Sequence, residues 1–404
     1  MANSLVTIDM VTREALRIAH EKSQFIGTVD RQYDDAYAKT GAKIGSALRV
    51  RRPNQYTRTT GSRVMDVQEQ SEVTSSITLA TQDHVDMRFN SAELALTIDE
   101  ISKRYIEPAM AALISGIESD FIAASTKATY NLAGTFGTPP TDLVAVGAAR
   151  AKLNQFLAPK DGNRYVQMDS VTMGGLVNGL KGLFQDSTQI REQYREGMIG
   201  RTGMADWYEN ERMFTQTYGS DVTGTTDAAA LVTDGGNTVS MAATVAVAAQ
   251  TVGSVFTVAG VFACHPETKA PYSFLQQFVI TAIGAVTTTV SPQIFLTGPR
   301  KNVVSSTGAN LATTDFNSKT LTFFGAASTS YVQNLMYHKE AFQFVTADLP
   351  IMDDAAKCVR RSQDGLSLRV WQASDIRNDE LLMRIDILYG FAALRPEWAC
   401  RVTS

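Results

Sequence analysis

The sequence predicts an α+β protein in which a mixed helix–strand domain is interrupted by an all-β insertion. Two observations carry this prediction. A helical apolar period over residues 108–129 leads into an α-β-α run. Between 222 and 310 only six charged residues then remain (Asp227, Asp234, Glu267, Lys269, Arg300 and Lys301), in a stretch dominated by Val, Ala, Thr and Gly. The 404 residues exceed what one ordinary core holds, so two or three packed units are expected. Charged residues are 19% of the chain, below the roughly 25% of a typical soluble domain, while the apolar share of 44% is ordinary. So little polar surface implies association.

The elements follow in order. Ile8, Val11, Ala15 and Ile18 recur at helical spacing, which predicts a short helix over 7–23 with one apolar stripe for a partner surface. This start lacks the basic and apolar regions of a signal peptide. Residues 36–65 carry Lys39, Lys43, Arg49, Arg51, Arg52, Arg58 and Arg63 without an acid, and Gly, Pro53 and Asn54 break any helical period. They read as an extended basic arm or long hairpin. The sign then reverses: Asp66, Glu69, Glu72, Asp83, Asp86 and Glu93 are opposed only by Arg88, with strands expected at 73–79 and 85–89. A basic arm beside an acidic strand pair is self-complementary between copies of one chain. Subunit contact is the leading reading of the arm; a solvated loop and direct nucleic-acid contact are the others.

Pro108 is tolerated only in a first turn and so marks the start of a long helix, 108–129, with Met110, Leu113, Ile114, Ile117, Phe121 and Ile122 on one stripe. A second helix is expected at 141–158, capped by Thr141 or Asp142 and stopped by Pro159. A strand at 164–168, a helix capped by Asp169, a loop at 186–203 and a strand at 204–217 follow. Within 222–310, runs at 254–258, 278–283 and 286–290, divided by Gly253, Gly260 and Gly284, predict short antiparallel strands of a small barrel or sandwich. Runs at 336–345, 366–373 and 381–391 then complete the interrupted sheet.

The residues exclude more chemistry than they support. The formal net charge of −4 gives no global basic field, which disfavours a sequence-specific nucleic-acid binder. Cys264, Cys358 and Cys400 are odd in number and far apart, which suggests a reducing compartment and neither a disulfide framework nor a zinc site. His20, His84, His265 and His338 are scattered without ligand spacing. The stretch Gly174–Lys181 fails as a phosphate loop because Gly182 stands where Ser or Thr would hold magnesium. The acidic pairs Asp353-Asp354 and Asp379-Glu380 read as solvated turns, and Trp207, Trp371 and Trp398 as packing residues in strands. No uncharged run has the ~20 continuous apolar residues of a membrane span.

At the C-terminal strands the residues carry a resemblance. Arg384-Ile385-Asp386-Ile387-Leu388-Tyr389-Gly390-Phe391, followed by Leu394-Arg395-Pro396-Glu397, is similar to the last strand of tailed-bacteriophage major capsid proteins of the Hong Kong 97-type fold. Residues 336–342 and 365–370 resemble preceding strands of those proteins. Gly253–Val261 resembles part of the β-barrel inserted in coat proteins of Salmonella-type short-tailed phages.

The resemblance implies an N-terminal arm at 1–40, an extension loop at 41–90, a peripheral domain with a spine helix at 91–140 and an axial domain at 141–221. An inserted barrel would occupy 222–310, and 311–404 would complete both domains. It further implies a non-enzymatic protein without cofactor, metal or catalytic residues, assembled as hexamers and pentamers of an icosahedral shell. Scaffolding protein, portal protein, a decoration or cement protein and packaged double-stranded DNA are the implied partners, with no membrane. The location would be the virion capsid, after procapsid assembly in the bacterial host cytoplasm. Arg49, Arg51, Arg52, Arg58 and Arg63 are then the expected intersubunit cations, and Glu69, Glu72, Asp83 and Asp86 their acidic partners. Tyr389, Gly390, Arg395, Pro396 and Glu397 are the motif's structural residues. An encapsulin-like cellular shell enclosing cargo enzymes is the alternative reading.

Overall fold

The computed structural model describes residues 8–34, 47–62, 65, 67, 73–90, 102–180, 201–220, 223–228, 232–241, 250–284, 287–351, 357–375, 377–378 and 380–403. Helix α1 (Ile8–Lys22) buries Ile8, Val11, Ala15, Leu16 and Ile18 along one face. That stripe, expected on a partner surface, is covered within its own chain by the strands at 357–375. The single turn α2 (Phe25–Thr28) leads into β1 (Asp30–Asp34). β2 (Ala47–Arg52) and β3 (Val73–Thr78) form a two-stranded ribbon, and β4 (Thr81–Asn90) follows.

A π-helical turn, Ser102–Ile106, runs into α3 (Glu107–Ala128), where Pro108 lies in the first α-helical turn. All six stripe residues of α3 are buried. After β5 (Leu132–Ala133), α4 (Leu143–Gln155) starts at Asp142, whose Oδ1 accepts from Val144 N at 3.0 Å. Beyond β6 (Arg164–Met168), α5 (Ser170–Leu180) starts likewise, Asp169 Oδ2 accepting from Thr172 N at 3.2 Å. Of the loop expected at 186–203, residues 186–200 lie outside the described residues. The single strand expected at 204–217 is two, β7 (Asp206–Glu209) and β8 (Phe214–Thr217), divided by a turn.

The all-β block contains β9 (Thr223–Thr225), β10 (Gly236–Ser240), β11 (Val255–Cys264), β12 (Pro271–Ile283), β13 (Thr287–Ile294), β14 (Val303–Val304) and β15 (Thr320–Phe323). The chain finishes with β16 (Ser330–His338), β17 (Phe342–Ala347), β18 (Lys357–Gln363), β19 (Leu366–Asp375), β20 (Glu380–Ala393) and β21 (Ala399–Thr403). The run 336–345, expected as one strand, is broken by a 3-10 turn at Lys339–Ala341, and its halves β16 and β17 serve different sheets. Trp398, expected in a strand, lies in the 3-10 turn Pro396–Trp398.

Two compact units result. The first draws on Met1–Val50, Thr74–Phe121 and Phe342–Leu394. Its sheet runs β1-β17-β20-β19-β18, with β4 also paired to β20. Phe25, Phe121, Phe344 and Phe391 interlock between helix and sheet at centroid distances of 4.9 to 5.7 Å. The carboxylate of fully buried Glu118 on α3 accepts from Gln24 N at 2.6 Å and Ile26 N at 3.2 Å, which fixes the N-terminal segment on the long helix.

The second unit draws on Arg51–Val73, Ile122–Ala341 and Arg395–Ser404 and holds two sheets. One runs β5-β21-β16-β6-β7, with β8 on β16. The other runs β10-β13-β12-β11-β15-β9, with β14 on β11. A bridge between Thr226 and Met241, beside Asp227 N donating to Ser240 O at 3.2 Å, joins the outer strands β9 and β10. Phe256, Phe278, Ile280, Phe316 and Leu321 fill the interior of this β module. The sheet thus extends past residue 310 to Phe323. Gly260, expected to divide strands, lies inside β11 with φ 83°, where the pairing register with β12 shifts between Thr257 and Phe262. It makes a bulge.

Candidate assembly surfaces

Arg49 and Arg51 lie on β2 and are exposed, and Arg58 is exposed in the irregular stretch that follows. Arg52 is half-buried, its Nη1 3.8 Å from Glu397 Oε1. Arg63, Glu69 and Glu72 lie outside the described residues. Asp83 and Asp86 share β4 but differ in use. Asp83 Oδ2 accepts a 2.7 Å hydrogen bond from Tyr389 Oη, and burial plus that carboxylate push the Tyr389 phenol above its ordinary range. The Asp86 side chain is 60% exposed, with His84 Nδ1 at 3.1 Å and Arg384 Nε at 3.8 Å. Sequence reasoning missed the contacts to Tyr389 and Arg384, because cross-strand partners some 300 residues apart leave no local signal.

The motif residues divide between the two units. Tyr389 and Gly390 lie on β20, opposite Thr346 and Val345 of β17. A Cβ on Gly390 would fall 2.4 Å from Thr78 O and 3.3 Å from Leu79 Cα. In the second unit Arg395 covers the Trp398 ring at 4.1 Å and donates its backbone N–H to Ala341 O at 3.1 Å. Pro396 opens the 3-10 turn. Burial pushes the Glu397 carboxyl up, against the opposing pull of Arg52. The same turn meets His338, whose buried ring stands edge-on to Trp398 and bonds Asp161 Oδ1 through Nε2 at 3.0 Å. Partial desolvation pushes the Asp161 carboxyl up, but hydrogen bonds from Asn163 and His338 outweigh it and hold it at about 2.

The β module is tied to the rest of its unit by polar contacts that composition did not reveal. The Gln277 side chain bonds both the N–H and the C=O of Leu132, at 3.0 and 3.2 Å. Tyr272 Oη donates to Gln155 O at 2.8 Å, and its ring stacks on Phe274. Lys152 Nζ of α4 lies 3.5 Å from the centre of that Phe274 ring, and burial pulls the ammonium down to about 8. Fully buried Arg401 donates from Nε to Thr129 O, just past the end of α3, and from Nη1 to Gly253 O at the entry to β11, each at 2.8 Å. Burial lowers the Arg401 guanidinium to about 10. A planar, forked donor suits two carbonyls on different elements, which a point-charge ammonium does not.

Among the described residues no three His, Cys, Asp or Glu side chains gather as a metal site, and no helix is long and apolar enough to cross a membrane. Residues 62–401 match a coat-protein family, so the chain is a major capsid protein of a tailed bacteriophage and a structural component of the virion shell. The family is the one described as "P22 coat protein - gene protein 5", and the chain belongs to it, with the mixed α+β Hong Kong 97-type fold expected above. The encapsulin-like reading is therefore set aside.

No curated protein matches the chain. Among solved structures, a chain of Mycobacterium phage Che8 is similar at 11% identity with TM-score 0.47, covering 94% of this chain and 90% of that one. The capsid of Ralstonia phage GP4 is similar at 7% identity with TM-score 0.45, over 93% and 86%. The capsid of the cyanophage P-SCSP1u is similar at 11% identity with TM-score 0.44, over 93% and 85%.

Proposed function

We propose that the β2–β3 ribbon and the basic stretch after it dock on the acidic surface of a neighbouring copy and so set the contacts within hexamers and pentamers of the shell. The observation that carries this reading is the exposure of Arg49 and Arg58 on and beside a ribbon of only two strands. Two strands alone are marginal in water and gain order by covering another surface. Arg51, Arg52 and Arg63 are assigned to the same docking role, with Glu69, Glu72 and the exposed Asp86 as acceptors; Asp83 serves from its place beside Tyr389. Local charge complementarity of this kind selects which edge meets which.

In this reading the subunit has no enzymatic role. It assembles in the host cytoplasm around a scaffolding protein, takes a portal protein at one vertex, encloses double-stranded DNA and matures as packaging proceeds, with a decoration or cement protein on its outer face. The arm comprises residues 1–40, the extension loop 41–90, the peripheral domain 91–140 and the axial domain 141–221, with 311–404 completing both. The β module between them acts as an inserted stabilising barrel.

Replacing Arg49, Arg51 and Arg52 together by Glu tests the docking role. The variant subunit keeps the wild-type circular dichroism spectrum, yet electron micrographs show no closed shells or only aberrant ones. Normal shells from this variant would remove the docking role.

A further inference from the structure

Strand β20 is paired on both sides up to Tyr389, where the register with β4 ends at Thr81. There the chain leaves the sheet through Ala80 and Leu79 and enters the ribbon. Side chains alternate across a strand, so Tyr389 and Gly390 face opposite sides. On one side Tyr389 stacks with Phe344 and bonds Asp83 of β4. On the other, Val50 of β2 and Ile77 and Leu79 at the end of β3 pack on Val345, Ala347 and Leu388. Both strands of the ribbon are thus rooted on that face, and Gly390 is the gap in it.

The gap is a matter of space and not of backbone conformation, because Gly390 is not among the glycines with positive φ. A methyl group there would meet Thr78 O at 2.4 Å, Thr78 C at 3.1 Å and Leu79 Cα at 3.3 Å. All three are backbone atoms, so no change of rotamer relieves the contact.

We propose that Gly390, together with the Tyr389–Asp83 pin, fixes the root of the ribbon, Val50 and Thr74–Leu79, on the sheet, and that docking on a neighbouring copy requires this fixed root. Restoring ordinary contact around an added methyl lifts the Thr78–Leu79 corner by about 1 Å. Gly390 and Tyr389 are positioning residues, since neither has to touch the neighbour.

This inference rests on the docking reading, and the test separates the two. Gly390→Ala and Tyr389→Phe subunits are compared with wild type and with the triple arginine-to-glutamate variant. The readouts are thermal unfolding, hydrogen exchange over residues 74–90 and electron microscopy of shells. Gly390→Ala is expected to keep a cooperative unfolding transition and to lose at least tenfold in closed shells.

Tyr389→Phe adds no volume. It is expected to speed exchange over 74–90 by about tenfold and to broaden the distribution of shell sizes. If Gly390→Ala lowers thermal stability but forms uniform wild-type shells, the residue only packs and the proposal is overturned. If Gly390→Ala does not fold, Tyr389→Phe decides alone, and unchanged exchange with uniform shells rejects the pin. Should the arginine variant assemble normally while Gly390→Ala does not, the docking reading fails and the fixed root is retained.

Discussion

Lys152 holds a charge where burial opposes it. Its ammonium is drawn down from 10.5 to about 8, and the Phe274 ring compensates part of the lost hydration. Between those two values the unfolded chain binds the proton and the folded chain does not. Stability should therefore rise with pH across that interval, by an amount on the order of 3 kcal/mol at most. Below pH 8 both states are protonated and the folded state carries the full cost of the buried charge. Lys152→Met keeps the stem on Phe274 and removes the charge. It should be more stable than wild type at pH 7 and should lose the excess rise toward pH 10 in paired urea titrations. Equal pH slopes for the two proteins would show that Lys152 keeps an ordinary pKa.

Individual elements show where sequence pattern is informative. Long periodic segments with caps were legible: α1, α3, and the Asp142 and Asp169 starts of α4 and α5 lie within a residue or two of their expected places. Breaks inside apolar strand runs were not. Residues 333–338 and 341–347 are buried throughout, so the two-residue alternation that marks a strand is lost, and only the exposed Lys339-Glu340 pair signals that the chain turns into another sheet. Gly260 misled because a glycine in a strand signals a bulge as readily as an end.

The far edge of the β module was missed for a related reason, since Thr320–Phe323 is only four residues long and pairs with Thr223–Thr225, nearly a hundred positions earlier. Phe316 and Leu321 are both fully buried in that core. A fragment covering 222–326 should therefore unfold in one cooperative transition by circular dichroism, whereas one ending at 310 should not. Equal cooperativity would show that β15 is dispensable.

For the whole molecule, the charge deficit noted at the outset is local. It belongs to the β module, while the residues around it are sorted by sign. The positions of the basic and acidic residues were legible, but the in-chain pairs that occupy Asp83 and partly occupy Asp86 were not, because pairing across a sheet is set by register and not by neighbourhood in sequence. A subunit with low overall charge can approach copies of itself closely, and in the proposed docking the remaining exposed charges discriminate between correct and incorrect edges.

The central place of β20 in the first unit also governs events during synthesis. That unit gathers Met1–Val50 and Thr74–Phe121 early, but its sheet has no middle until Glu380–Ala393 has emerged, because β4, β17 and β19 all pair with that one strand. Pairings of such long sequence separation form late and leave earlier segments waiting on the ribosome. A chain that stops before residue 380 lacks both the Gly390 gap and the strand on which the ribbon is rooted, so it has no fixed surface to offer a complete subunit. Truncated chains expressed beside the full-length protein should therefore be absent from purified shells by mass spectrometry. Their incorporation would show that docking does not require the sheet. On this prediction synthesis through Ala393 is a condition of entry into the shell, and shorter products are sorted out by folding.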